Sequence, residues 1–219
     1  MDICYQSCHP AFGEVVAAET KEVVRQKYHL PRDYFLYVGS IIERKNLLNI
    51  CKALKQLQGR LSIPLVVIGG GRGYKEKVQQ YLAANGLQQQ VIFLNDTPAA
   101  KSDPAFQKPE TFAAIYQMAV AMIYPSYFEG FGIPVLEALW SRLPVITSNV
   151  SCMPETGGAA AYYVNPDNPE EMAAGMLAIY NDPALRTKMI TDGWAHAQHF
   201  TLEKCAASVM NVYQKLIHG

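Results

Sequence analysis

Six short apolar runs, at residues 34–38, 65–68, 91–94, 120–124, 144–147 and 161–164, alternate with longer stretches of helical character. Runs of four or five apolar residues without polar alternation read as strands buried on both faces. Strands separated by helices argue for a parallel sheet with helices packed on both sides. The expected fold class is therefore α/β, a parallel sheet of about six strands. At 219 residues, half of them hydrophobic, the chain can bury one substantial core.

Between the runs, helices are expected over 14–28, stopped by Pro31, and behind Asn46 as N-cap, where Leu47, Ile50, Cys51, Leu54 and Leu57 recur at helical spacing. Others are expected over 74–85, ended by Gly86, over 111–118 and over 135–140. Asn168-Pro169, Asp182-Pro183 and Thr201 each open a later helix, and Leu202, Cys205, Val209, Tyr213 and Leu216 make one apolar stripe of the last. Residues 1–13 are irregular and read as a linker or entry segment. The stretch 95–110 holds three prolines and is longer than an ordinary connection, so it is either a functional loop or a local insertion.

Lys plus Arg equals Asp plus Glu at 19 each, so no overall field draws the chain to nucleic acid or an anionic membrane. Any anion site has to be local. Five scattered cysteines suit reduced thiols, and Cys4, Cys8 and His9 lack the rest of a four-ligand metal set nearby. The absence of a signal-like start or a long apolar stretch leads to the expectation of a cytoplasmic protein, a location compatible with peripheral contact with a membrane.

The fourth run leads into Pro125-Ser126-Tyr127-Phe128-Glu129-Gly130-Phe131-Gly132-Ile133-Pro134 and then a helix. Two glycines allow a tight turn that aims free amides at an anion above the helix start, and Pro134 suits the first helical position. Glu129 and Glu137 stand eight positions apart, so both can point to one ligand if the turn folds back. After the first run, Gly39 to Asn46 leaves a strand end and enters a helix, where open α/β sheets bind ligands. Arg44 and Lys45 there read, as residues alone, either as a surface solubility pair or as an anion site. Gly69-Gly70-Gly71-Arg72-Gly73 lacks dinucleotide spacing and reads as a tight strand-to-helix turn. His29, His196, His199 and His218 have no carboxylate at a telling spacing, and Ser126 lacks the glycines of a nucleophile elbow.

Glu129 and Glu137 within EGFGIPVLEA resemble the donor-site signature of the retaining glycosyltransferases of family GT4, the glycosyl transferases group 1. The segment VGSIIERKNL and the stretch PVITSN to PETGG are similar to that family in the same order. The resemblance implies the C-terminal half of a GT-B enzyme, a Rossmann-like domain that binds a UDP-, GDP- or ADP-sugar. It implies that Glu129 contacts the transferred sugar and Glu137 the ribose, and that Arg44 and Lys45, entered from Gly39, hold the diphosphate with the turn Gly130, Phe131 and Gly132. Leu94 and Asn95 are implied at the nucleotide base, through backbone groups. Glu155 is open between packing and site. Catalytic roles fall on Glu129, Arg44 and Lys45, with no cofactor and no metal.

On this resemblance residues 1–13 come from a missing N-terminal acceptor domain, and 14–219 form the donor-binding domain. The expected activity is retaining sugar transfer once both domains are joined, the acceptor being a glycan, lipid or small molecule. A non-catalytic nucleotide-binding or interaction module of the same fold is the alternative. The chain alone is expected to bind donor weakly, to transfer nothing at a useful rate, and to expose apolar area along part of its last helix.

Overall fold

The computed structural model describes residues 2–218, apart from the side chain of His218, so the sequence reading of that histidine lies outside the described residues. An irregular strap closes in one 3-10 turn, Pro10–Phe12, capped by His9 Nδ1, which accepts the Ala11 amide at 3.2 Å. In chain order follow α1 (Ala18–Lys27), β1 (Phe35–Val38), α2 (Leu47–Gln56), β2 (Leu65–Ile68), α3 (Gly73–Asn85), β3 (Val91–Phe93), α4 (Pro98–Ser102), α5 (Pro109–Met118) and β4 (Ala121–Tyr124). Then come α6 (Ile133–Trp140), β5 (Val145–Ser148), α7 (Met153–Gly157), β6 (Tyr162–Val164), α8 (Pro169–Asn181), α9 (Pro183–Ala197) and α10 (Leu202–His218).

The six strands form one parallel sheet in the order β3-β2-β1-β4-β5-β6. Phe35 pairs with Leu65 on one side and Ala121 on the other, which makes β1 and β4 the centre. Side chains alternate across the sheet as strand geometry requires. Leu36 and Val38 join Tyr116, Met122 and Leu136 in one core layer, while Phe35 and Tyr37 join Ile50, Ile123 and Met176 in the other. Crossovers from β1 and β4 run to opposite sides, so a crevice opens at the carboxyl ends of these two strands, as in other doubly wound sheets. The architecture is the expected Rossmann-like α/β fold, a six-stranded parallel sheet with helices on both faces.

Strand positions follow the apolar runs closely, and the caps of the late helices are as expected. Asn168 accepts the Glu170 and Glu171 amides at 3.1 and 3.2 Å, and Asp182 accepts those of Ala184 and Leu185 at 2.9 and 3.0 Å. Two local expectations need correction. The first helix begins at Ala18 rather than residue 14, because Gln117 holds the preceding backbone: its Oε1 accepts the Val16 amide at 3.1 Å and its Nε2 donates to the Glu14 carbonyl at 2.6 Å. Asn46 stands at the N-cap but does not cap. Its backbone is left-handed at φ 62°, and its buried amide donates to the Pro125 and Pro166 carbonyls at 3.1 and 2.7 Å, lacing three loops together.

The stretch after β3, expected as a functional loop or a local insertion, is folded: α4 is capped by Thr97, and Phe106 is buried. Residues 2–13, expected as a linker or entry segment, pack on the domain. Phe12 is buried edge-on to Tyr116 with ring centroids 5.1 Å apart, and Ser141 Oγ donates to its carbonyl at 3.3 Å. Along α10, by contrast, Leu202, Val209, Tyr213 and Leu216 of the apolar stripe are exposed, and so are Met210 and Ile217 beside it.

Candidate functional site

β1 ends at Val38, and Gly39 follows at φ +147°, a conformation that L side chains rarely adopt. A Cβ there would come within 3.0 Å of Lys45 Nζ, so the glycine makes room for that lysine to fold back over the strand end. The neighbouring glycine run serves the same packing. A Cβ on Gly69 would lie 1.9 Å from the Gly39 carbonyl oxygen and one on Gly71 2.3 Å from that of Ile41, so these glycines answer to backbone contact between loops.

Glu43–Lys45 form a 3-10 turn that presents Arg44 and Lys45 to the β4 loop. Arg44 lies 2.8 Å from Glu129 Oε1 and donates to the Phe128 carbonyl as well. Lys45 Nζ donates to the Tyr124 hydroxyl, stands 3.5 Å from Glu129 and sits 4.9 Å above the Tyr124 ring. Glu129 Oε1 also accepts Ser126 Oγ at 2.7 Å and Tyr124 O–H at 3.0 Å. Burial works to raise the Glu129 pKa, but hydrogen bonds from Ser126, Arg44 and Tyr124 and the Lys45 charge outweigh it and hold it below its ordinary value. Glu129 is thus a carboxylate held charged between two cations.

Beyond it the chain turns through Gly130 and Phe131 to Gly132, at φ +92°, where α6 begins. Ile133 takes the first helical position and Pro134 the second, one residue later than the sequence suggested. Lys45, Tyr124, Glu129 and the turn 130–134 line a cavity of about 500 Å³, closed on its other side by Ile3 to Gln6 of the strap and by Glu155. A group with two negative oxygens fits the cationic end beside the amides that open α6.

A family model described as "Glycosyl transferases group 1" matches residues 20–194, which include Arg44, Lys45, Tyr124, the turn 129–134 and Glu155 but not the strap. The chain belongs to that family. Among curated glycosyltransferases it is 32% identical over 197 residues to O-antigen chain mannosyltransferase B of Escherichia coli, covering 88% of this chain and 49% of the relative. The chain thus spans about half the length of that curated relative. Two solved glycosyltransferase-fold structures share its architecture. The glycosyltransferase from Rickettsia africae superposes with a TM-score of 0.83 at 19% identity, over 99% of this chain and 57% of that one. Anabaena HepE, in complex with UDP and glucose, superposes with a TM-score of 0.79 at 15% identity, over 97% and 56%.

Of the residues singled out by the glycosyltransferase motifs, the structure brings Lys45, Glu129, Gly130, Phe131 and Gly132 to one cavity, with Arg44 joined through Glu129 and Gly39 beneath Lys45. Glu137 is not among the lining residues. It lies one turn into α6, where its Oε2 accepts the Tyr116 hydroxyl at 2.8 Å. Burial lifts its pKa to about 7, against the Tyr116 bond and the Lys45 charge. The half-buried Cys8 thiol is near enough that, after burial, the Glu137 charge helps push it up to about 12. Glu129 and Glu137 therefore occupy separate environments, with the strap against the second.

Leu94 is buried, and its carbonyl already accepts the Thr97 amide and hydroxyl at 3.1 and 2.8 Å. Asn95 Oδ1 accepts the Gly69 amide at 2.6 Å, and the residue lines a different cavity, of about 390 Å³, with residues 100–107. Sequence reasoning missed Tyr124 and Tyr5. The signal for Tyr124 was available, since a polar group at the carboxyl end of a central parallel strand faces the crevice. Ser126, without a nucleophile's setting, braces Glu129. His196 packs beside Phe200 and its Nε2 meets the Glu155 carbonyl at 3.1 Å. Among the described residues no three His, Cys, Asp or Glu side chains cluster as a metal site, and no helix is long and apolar enough to cross a membrane.

Proposed function

We propose that this chain is the nucleotide-sugar binding half of a GT4 glycosyltransferase that transfers a hexosyl group with retention and without a metal ion, from a UDP-, GDP- or ADP-sugar, on the cytoplasmic side. The observation that carries the reading is the bracketing of Glu129 by Arg44 and Lys45 at the crevice between β1 and β4, next to the start of α6. A relative that is a mannosyltransferase and a similar fold holding UDP and glucose support it.

Departure of a nucleoside diphosphate builds negative charge, and fixed cations with oriented amides stabilise it in a site with little reorganisation. Arg44 forks two oxygens and Lys45 acts as a point charge. A diphosphate competes with Glu129 for both cations, so donor binding releases the Glu129 carboxylate toward the sugar. Glu137, fixed at one oxygen by Tyr116, holds the ribose in this reading. The acceptor is bound by a further, N-terminal domain of the longer protein, to which residues 1–13 lead, and transfer requires both.

Calorimetric titration with UDP, GDP and ADP tests the site. One of them should bind, and an Arg44→Ala, Lys45→Ala double variant should lose about tenfold or more in affinity, which is about 1.4 kcal/mol. Unaltered affinity in the double variant would place the diphosphate elsewhere.

A further inference from the structure

One wall of the 500 Å³ cavity consists of strap residues and Glu155, and the side-chain partners of Arg44 and Lys45 lie away from it. Glu155 belongs to α7, and the α7 segment clasps the Glu129 turn. Ser151 Oγ accepts the Glu129 amide at 3.2 Å and donates to its carbonyl at 3.0 Å, Cys152 Sγ donates to the same carbonyl at 3.2 Å, and Thr156 Oγ1 donates to the Phe131 carbonyl. The two carboxylates, Glu129 and Glu155, are therefore held in fixed relation on one cavity.

Tyr5 fixes the Glu155 side chain by donating its hydroxyl to Oε1. Its ring is seated 5.8 Å from that of Phe131 and 5.3 Å from that of Phe200, and Ser7 Oγ anchors the strap by donating to the Phe200 carbonyl at 2.7 Å. An uncompensated carboxylate repels phosphate and accepts hydroxyl hydrogens. The cavity is thus divided, with cations and helix amides at one end for the diphosphate and an acidic wall for a neutral polyol.

We infer that Glu155 contacts the hydroxyls of the transferred sugar and that Tyr5, through its bond to Glu155 and its seat on Phe131, is the positioning residue for that contact. The inference rests on the donor-site reading above. It concerns the sugar alone, so the test compares nucleotides with and without it. UDP and UDP-glucose, GDP and GDP-mannose, and ADP and ADP-glucose are titrated against the 219-residue chain and its Glu155→Gln and Tyr5→Phe variants, with circular dichroism confirming the fold.

Glu155→Gln should leave the diphosphate that binds within about twofold of the parent and weaken its sugar conjugate by about tenfold, the effect of one hydrogen bond to a charged group. Tyr5→Phe keeps the ring contacts and should produce a smaller loss on the conjugate only. Equal losses on diphosphate and conjugate, or no loss on the conjugate, overturn the assignment while leaving the donor site standing. A parent chain that binds none of the three diphosphates overturns both.

Discussion

Glu129 and Glu137 are the same residue type eight positions apart, and their surroundings shift their pKa values in opposite directions. Glu129 keeps its charge because three hydrogen-bond donors and the Lys45 charge outweigh its burial, whereas Glu137 is buried with one hydroxyl donor, and burial dominates. A raised folded-state value near 7 against an ordinary 4.5 means that the unfolded chain ionises first as pH rises. The Glu137 contribution to stability is complete below about pH 4.5, declines between about 4.5 and 7 by at most roughly 3 kcal/mol, and is flat above. Glu137→Gln should remove that decline, read as urea midpoints across this range. A parallel pH profile in both proteins would contradict the assignment. Arg44, Lys45 and Glu129 were legible only as separate family roles at one site, and their ion pairing was not. That Glu137 turns to Tyr116 was not legible, because residue spacing carries no information on which side chain a distant helix supplies.

At the scale of elements, loop backbones rather than side chains set how β1 and β2 deliver their ends. Gly69 stands at φ +147° with the Gly39 carbonyl where its Cβ would be, while a Cβ on its neighbour Gly70 meets nothing within 4 Å. Gly69→Ala should therefore cost several kcal/mol, on the order of 3 or more, and Gly70→Ala less than about 1. Denaturant midpoints of the two variants settle the order, and similar midpoints would refute the loop contact. Six strands and their parallel pairing could be read from short apolar runs divided by helices, since burial on both faces leaves a plain signature, while their order in the sheet could not. The folded stretch after β3 and the short α7 were not readable, because five-residue helices have too few turns for a periodic pattern.

For the molecule as a whole, both chain ends converge on one surface. Lys215 pairs with Asp2 at 2.8 Å, Ser208 Oγ reaches the Ile3 carbonyl at 3.4 Å, and beside these contacts α10 leaves Leu216 and Ile217 about three-quarters exposed. Apolar side chains exposed together on one helix mark a candidate contact surface. The chain should bind an environment-sensitive apolar dye, and a Leu216→Lys, Ile217→Lys double variant should bind markedly less without losing helix content. Equal dye signals would move the apolar surface elsewhere.

The account turns on where a nucleoside diphosphate sits, and a crystal structure of the chain grown with the nucleotide that binds in calorimetry answers that directly. The diphosphate is expected between Lys45 and the turn Phe131-Gly132 at the start of α6, with Arg44 drawn off Glu129 onto a phosphate oxygen. A diphosphate bound away from the crevice between β1 and β4, with Arg44 still paired to Glu129, would contradict it.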